Sequence, residues 1–241
     1  MPEGDTVWRA AASLDHALAG RVLDRSDFRV PRYATLDLSG RAVAGVAAYG
    51  KHLFVRIEGG LSVHTHFMMD GTWRLYRRGR SWGERVHEIR VVLSAGPWDA
   101  LGYRLQVLDV LATAHEERIT GRLGPDLLGP DWDPAEAVTR LGSDPERPLG
   151  EALLDQSLVA GWGNVYKCEI CFLAGLDPQT PIGRVEQLDR VVSLGHRLIT
   201  ANRNRHGHIT TGDLRPGRHH WVYGRVGRPC ARCGTLIRKA G

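Results

Sequence analysis

The chain lacks any apolar run approaching a membrane span, and its first residues carry no basic patch leading into an apolar stretch. A spanning helix needs about 20 predominantly apolar residues, and a secretory signal needs that basic-then-apolar order. Neither is readable here, so the cytoplasm is the expected compartment and no membrane partner is expected. Cysteine is scarce: there are four in 241 residues, as Cys168-x-x-Cys171 and Cys230-x-x-Cys233. Such a chain is not a disulfide scaffold, and in a reducing compartment these are thiols or metal ligands. Acid is nearly missing from one end. Between Arg197 and Gly241, nine arginines and Lys239 face the single acid Asp213, a net of +9 in a chain whose total is +5, so residues 1–196 sum to −4. The basic charge is a C-terminal feature suited to a polyanion. Trp221, Tyr223 and the second Cys pair in this segment argue against a disordered basic tail.

What is present predicts an α+β protein. Val7, Ala10, Ala11, Leu14, Ala17 and Leu18 share one helical face, with Asp5 as N-cap and Gly20 as stop. From Arg21 to about Leu111 the pattern is mainly of strands. Leu53, Val55 and Ile57 alternate with polar or aromatic neighbours, Gly59-Gly60 turns the chain, Leu61 to Phe67 alternates again, and further runs cover Val86–Leu93 and Leu101–Leu108. The expectation is a β-sandwich with the first helix packed across it. A Pro-rich stretch from Arg122 to Pro148 marks a boundary. Beyond it Leu149, Leu153, Leu154 and Leu158 predict a helix ending near Ala160-Gly161. Arg203–Asp213 is polar and Gly-containing, and so is expected to be a loop.

Chemistry concentrates at the start, Met1-Pro2-Glu3-Gly4-Asp5-Thr6-Val7. With Met1 removed, Pro2 becomes a secondary amine that can attack an electrophilic carbon and collapse to an iminium. An α-amino group titrates near pH ~8, so a useful fraction is neutral. Glu3, one peptide bond away, is placed to move protons. The bland alternative is a solvated lead-in to the helix. Lys51, in Tyr49-Gly50-Lys51-His52-Leu53, reads by itself as a solvated strand-end lysine. His64 and His66 have a spacing compatible with a metal, but packing or a hydrogen bond is the simpler role without a third ligand. Met68 and Met69 are unbranched and adaptable, fit either for a core or for a wedge in a base stack.

The start PEGDTV resembles the N-terminus of the bacterial formamidopyrimidine-DNA glycosylase and endonuclease VIII family of base-excision repair enzymes. Separate points along the chain carry the same resemblance. Gly50-Lys51-His52-Leu53 is similar to the family's loop whose lysine reaches the lesion's phosphate and sugar. Phe67 to Arg74 is similar to its turn that fills the gap left by an everted base. Leu154 to Tyr166, ending in Gly161-Trp162-Gly163-Asn164, resembles its helix-two-turn-helix signature. The resemblance implies Pro2 as nucleophile, Glu3 as general acid/base and Lys51 as third catalytic residue. It also implies Met68 and Met69 as wedge and Asn164, with Gly161 and Gly163, as phosphate clamp, where glycines let the backbone approach and helix-start amides hold the anion. Thr210 and Thr211 lie in a segment resembling the loop that covers the flipped base. An Asp-Pro-Arg-Arg-Phe run typical of the oxidised-purine branch is missing around Leu105–Leu111, which points to the endonuclease VIII branch and oxidised pyrimidines.

Simple arithmetic would join the four cysteines into one zinc site. Cys168 and Cys171, however, fall on a helix just after the Gly-x-Gly-Asn turn, where core packing is the expected role. Tyr223 to Gly234 resembles the first knuckle of the family's zinc finger, which implies zinc at Cys230 and Cys233 as a half-site. The sequence ends at Gly241 before the finger's hairpin and second Cys pair, so any further ligands must come from elsewhere, such as His219, His220 or another chain. The expected organisation is a catalytic β-sandwich domain over 1–121, a helix-two-turn-helix DNA-binding domain over 122–215 and an incomplete zinc-finger remnant over 216–241.

The implied activity is a monomeric bacterial DNA glycosylase and abasic-site lyase on damaged double-stranded DNA, with no organic cofactor. Two other classes remain open from sequence alone. One is a catalytically silent damaged-DNA-binding relative with an incomplete finger. The other is an RNA-binding protein built on a helix-two-turn-helix, against which Pro2-Glu3 and Lys51 speak.

Overall fold

The computed structural model describes residues 2–239. The chain divides into two compact units, Pro2 with Thr6–Arg122 in one, and Glu3–Asp5 with the residues from Leu123 onward in the other. Residues 216–239 group with the second unit. Among the described residues, no helix is long and apolar enough to cross a membrane.

Helix α1 (Gly4–Leu18) opens the chain. Asp5 therefore lies inside its first turn and is not the N-cap that the apolar spacing predicts. Val7, Ala11, Leu14, Ala17 and Leu18 are buried as that spacing requires, and Gly20, at φ 73°, follows the helix in the left-handed conformation that favours glycine. Eight strands follow: β1 (Arg25–Phe28), β2 (Val43–Tyr49), β3 (His52–Ile57), β4 (Leu61–His66), β5 (Thr72–Arg77), β6 (Ile89–Ala95), β7 (Trp98–Tyr103) and β8 (Val107–Ala112). They form two antiparallel four-stranded sheets, ordered β1-β6-β7-β5 and β2-β3-β4-β8. Leu53, Val55, Ile57 and Val63 of one sheet share a core with Phe28, Trp73, Val91 and Leu93 of the other and with the apolar face of α1. This is the predicted sandwich with its helix.

Two strand boundaries differ from the sequence pattern. Residues 84–88 form a 3-10 turn, so the run from Val86 becomes a strand only at Ile89. The run Leu101–Leu108 is cut at Arg104, whose φ of 49° lies between the end of β7 and the start of β8. Its guanidinium is fastened to Glu88 at 2.7 Å and Asp70 at 3.3 Å.

Histidines 52, 64 and 66 come together on β3 and β4, where His52 faces His66 in register. His52 Nδ1 lies 2.9 Å from His64 Nε2, a distance at which one nitrogen must carry the shared hydrogen. The His64 ring also stacks on Phe54. Among the described residues, no group of three or more His, Cys, Asp or Glu is arranged for a metal. Packing and a hydrogen bond are what the geometry provides. Burial, helped by the charges of His66, His64 and Lys51, pulls the His52 imidazole down to about 3, and burial with His66 pulls His64 down to about 4.

Helix α2 (Glu117–Thr120) ends the first unit. The second contains α3 (Pro134–Leu141), α4 (Leu149–Ala152), α5 (Asn164–Ala174) and α6 (Leu188–Asn202). Asp133 caps α3 by accepting from Ala135 N, with Pro134 at the position where no N–H is needed. The long helix that Leu149–Leu158 predicts stops at Ala152. Asp155 is the reason: its Oδ1 accepts from the Ser157 N–H and hydroxyl at 2.8 and 2.6 Å, a local turn that competes with helix continuation. The core gathers Leu153, Trp162, Tyr166, Ile170, Val192 and Ile199. Gly195 on α6 makes room for Trp162, since a Cβ there would sit 2.4 Å from its ring.

Cys171 is buried in this core, and burial pushes its thiol up to about 12. Cys168 is partly buried on the same helix and points at Asn164 Oδ1, 3.9 Å away. Between them, Glu169 is fully buried and gathers the C-terminal segment. It accepts from the backbone N–H groups of Trp221, Val222 and Tyr223 at 2.8, 2.9 and 2.8 Å and from the Thr210 hydroxyl.

Two outcomes are expected from this architecture. Because His52 and His64 are depressed in the folded protein, the unfolded chain binds more protons once the pH falls below its ordinary histidine value of 6.5. Stability should thus fall on acidification from there toward about 4, by up to about 1.4 kcal/mol per pH unit per histidine. Urea midpoints measured across that range should show this slope, and His64→Gln should flatten it. Glu169→Ala should cost about 3 kcal/mol or more by stranding its donors. A urea midpoint indistinguishable from wild type would show that the carboxylate is not what holds residues 221–223.

Candidate active site

The second unit assembles around the N-terminus of α5. That helix has Gly163 at its cap position, which offers no side chain to the helix-start amides. Glu3 supplies the missing acceptor from the far end of the chain. Its carboxylate is fully buried and accepts from Gly163 N at 2.8 Å, Val165 N at 2.8 Å and Tyr166 N at 3.4 Å. A buried carboxylate is tolerable only when its oxygens are satisfied, and a helix N-terminus is where N–H groups and the helix dipole converge on an anion. The sequence reading offers these helix-start amides to a phosphate. In the structure the amides of Gly163, Val165 and Tyr166 hold Glu3.

The glycines of the Gly-x-Gly-Asn turn serve the same approach. Gly161, at φ 125°, takes a backbone conformation that L side chains rarely adopt, and its carbonyl accepts from Gly4 N at 2.9 Å. A Cβ at Gly163 would meet Glu3 Cδ at 2.8 Å, and one at Gly4 would meet Gly161 Cα at 2.9 Å. Gln156 braces the turn, accepting from Gly161 N at 3.0 Å and donating to Trp162 O at 2.9 Å. Asn164 is the first residue of α5 and is partly exposed.

Asp5 is buried one residue further on. The Tyr166 hydroxyl donates to its Oδ2 at 2.9 Å, and His208 Nε2 lies 3.2 Å from its Oδ1. Burial, then the Asp5 charge and hydrogen bond, hold the Tyr166 phenol above its ordinary value, so it stays a donor. Burial opposes protonation of His208, but the hydrogen bond and charge of Asp5, with Glu3 adding, raise the imidazole above its ordinary value. Three consecutive residues, Glu3, Gly4 and Asp5, are thereby fastened. Pro2, one peptide bond earlier, is partly exposed.

The other predicted site residues are placed as follows. Lys51 occupies the two-residue turn between β2 and β3, next to Gly50 at φ 55°. Met68 and Met69 follow β4 and are 42% and 65% exposed, so the core role is excluded for both. Met68 also has φ 51°, a costly conformation for an unbranched L residue and of a kind that clusters at functional sites. Thr210 is buried with its hydroxyl on Glu169, and Thr211 donates to Arg218 O at 2.6 Å. Both hydroxyls are engaged within the loop and its supports.

Cys230 and Cys233 lie in a tight turn. Gly234 N bonds Cys230 O at 2.9 Å, Arg232 N–H points at Cys230 Sγ from 3.4 Å, and hydrogen bonds from Thr235 and Cys230 lower the Cys233 thiol. Among the described residues no third ligand joins them, and His219 instead meets Leu214 O at 3.1 Å. A four-ligand structural zinc is therefore not completed by these residues.

Sequence reasoning missed Asp5 in this role, together with Gln156, Tyr166, Glu169 and His208. Asp5, Gln156, Tyr166 and His208 lie in segments that carry the family resemblance, but the resemblance assigns them no role. Gln156 acts within its own turn, whereas Tyr166, Glu169 and His208 meet partners remote in sequence.

Residues 1–107 match the formamidopyrimidine-DNA glycosylase N-terminal domain, and residues 123–199 match the formamidopyrimidine-DNA glycosylase H2TH domain. Over 243 aligned residues the chain is 57% identical to "Probable endonuclease 8 2" of Streptomyces coelicolor, covering all of this chain and 87% of that protein. It is 49% identical to "DNA-(apurinic or apyrimidinic site) lyase Nei2" of Mycolicibacterium smegmatis, covering 98% of this chain and 92% of the relative. A solved complex of Lactococcus lactis Fpg with DNA containing an abasic site shares the fold, with a TM-score of 0.82 at 21% identity over 99% of this chain and 94% of that one. With both domain matches and these relatives, the chain belongs to the formamidopyrimidine-DNA glycosylase family, among members named endonuclease 8.

Proposed function

We propose that the protein is a base-excision repair DNA glycosylase with abasic-site lyase activity on damaged duplex DNA, using Pro2 as nucleophile. The observation that carries this reading is the burial of Glu3 on the α5 amides, which fixes an acid/base group one peptide bond from the residue that becomes a secondary amine when Met1 is removed. Positioning of this kind can be worth several kcal/mol of a barrier.

The damaged nucleotide leaves the stack, as it does for glycosylases as a class. The Pro2 nitrogen bonds to C1′ of its sugar, the glycosidic electrons leave with the base, and the ring C1′–O4′ bond opens with O4′ taking a proton. Glu3 moves protons in these steps, and the product is an iminium. That cation acidifies C2′–H, so loss of this proton expels the 3′ phosphate, and a further elimination expels the 5′ phosphate. Lys51 is assigned to the lesion's phosphate and sugar, Asn164, held at the surface by the buried Gly161 and Gly163 turn, to the backbone, and Met68 and Met69 to the gap left by the everted base. Exposure and the strained backbone at Met68 support that last assignment. Thr210 and Thr211 belong to the loop over the flipped base.

A preference for oxidised pyrimidines is part of the proposal. Only residues 104–106 join β7 to β8, which leaves no room for the wedge loop of the oxidised-purine branch.

Borohydride reduction during incubation with abasic duplex should give a covalent protein–DNA band on a denaturing gel. Pro2→Gly should reduce that band at least tenfold, and an undiminished band would remove Pro2 from the nucleophile's role. DNA binding without any band from Met1-processed protein would instead favour a catalytically silent damaged-DNA binder. Asn164→Ala should weaken DNA affinity about tenfold, the worth of one or two phosphate hydrogen bonds, with the urea midpoint unchanged. Equal affinity would take the turn out of the DNA interface.

A further inference from the structure

We propose that His208 is a positioning residue for the reaction. Through Asp5 it ties the loop of residues 203–213 to the segment that carries the nucleophile, so that this loop must be in place for Pro2 to be correctly set. The inference rests on the reading of Pro2 as nucleophile.

The fastening of residues 3–5 has two sources. Glu3 and Gly4 are held by the Gly161–Tyr166 turn, which belongs to the packed core of the second unit. Asp5 is held by Tyr166 of that same core and by His208, which comes from a loop. Of all these pins, His208 is the one whose position depends on the path of the chain beyond α6.

That path is well determined at its root. Asn202, the last residue of α6, is fully buried and grips Ile209 in both directions, accepting from its N–H at 2.8 Å and donating to its carbonyl at 3.0 Å. Thr210 is bonded to Glu169. His208 is therefore presented by backbone fixed at the two residues after it, and its ring meets the Tyr166 ring edge-on, with centroids 5.6 Å apart. Residues 203–207, in contrast, are exposed. A displacement of the loop that pulls Ile209 off Asn202 also withdraws His208 from Asp5.

The chemical consequence follows from the tolerance of covalent catalysis. A nucleophile displaced by about 1 Å from its attack position can lose about a hundredfold in rate. Asp5 is three residues from Pro2, and loss of the imidazole removes a donor from a buried carboxylate, a desolvation cost that its segment relieves by shifting toward water. His208 is largely enclosed, with its Nε2 turned to Asp5 and not to the surface, so affinity and rate should separate.

The experiment measures the single-turnover rate of iminium trapping at saturating abasic duplex, the Kd for a duplex carrying an uncleavable tetrahydrofuran abasic analogue, and the urea midpoint. His208→Leu, which fills the space without a donor, should slow trapping at least tenfold with Kd within about twofold of wild type. His208→Gln, which keeps an N–H for Asp5, should return the rate to within about threefold. Asp5→Asn preserves shape and the Tyr166 contact, and should slow trapping with no further loss when combined with His208→Leu. Trapping by His208→Leu at the wild-type rate overturns the inference. So does a loss of rate that merely follows a parallel loss of affinity or stability, or one that Gln fails to restore. Pro2→Gly run alongside distinguishes the two levels: its silence with His208→Leu unaffected refutes the coupling alone, whereas undiminished trapping by Pro2→Gly overturns the nucleophile assignment and the coupling with it.

Discussion

A carboxylate removed from water must be met by donors, and in the second unit that requirement arises twice on one helix. Glu3 arrives at the start of α5 and takes its unpaired amides. Glu169, on the helix itself, takes three amides of residues 221–223. Each arrangement costs desolvation that its hydrogen bonds to a charged group, about 1.5–3 kcal/mol apiece, must offset. The geometry is consequently strict. Gly161 and Gly163 exist to let the N-terminal segment close enough, Gln156 holds their turn, and the C-terminal segment follows the direction set by Glu169.

Much of this protein was legible before any coordinates. The sandwich was visible because alternation along β3 and β4 is a direct imprint of one buried face, and the first helix because its apolar residues repeat at helical spacing. The start PEGDTV, Lys51, the Met68 turn and Gly-x-Gly-Asn carried the family resemblance. Where the reading of elements failed, a single polar side chain had overridden a hydrophobic pattern: Asp155 stopped a helix that four leucines predicted, and Arg104, locked to Glu88 and Asp70, broke one apolar run into two strands.

The order of residues at the candidate site is legible in the sequence, but its wiring is not. That Glu3 sits beside Pro2 is a fact of sequence, whereas its placement on the α5 amides depends on a partner 160 positions away. The glycines point to a close approach to a phosphate, but what approaches them in the structure is the protein's own N-terminal segment. Aspartate at a helix start usually caps it, but the structure gives the oxygens of Asp5 to Tyr166 and His208. Pairings of this kind have no periodicity, so no local pattern can announce them.

The remote cap on α5 also shapes how the chain must be assembled. A helix ordinarily carries its own stop and start in neighbouring residues, so that a domain can be cut out and still close. Here residues 3–5 are counted within the second unit. A fragment beginning at Leu123 would present the α5 N-terminus with no acceptor and two glycines facing an empty slot. On the ribosome, residues 3–5 emerge before residues 161–166 and must remain unsatisfied until that turn has been made. The second unit is thus closed by residues 3–5, through contacts of large sequence separation whose formation comes late. Folding of the helical unit and burial of the acid beside the proposed nucleophile are one event.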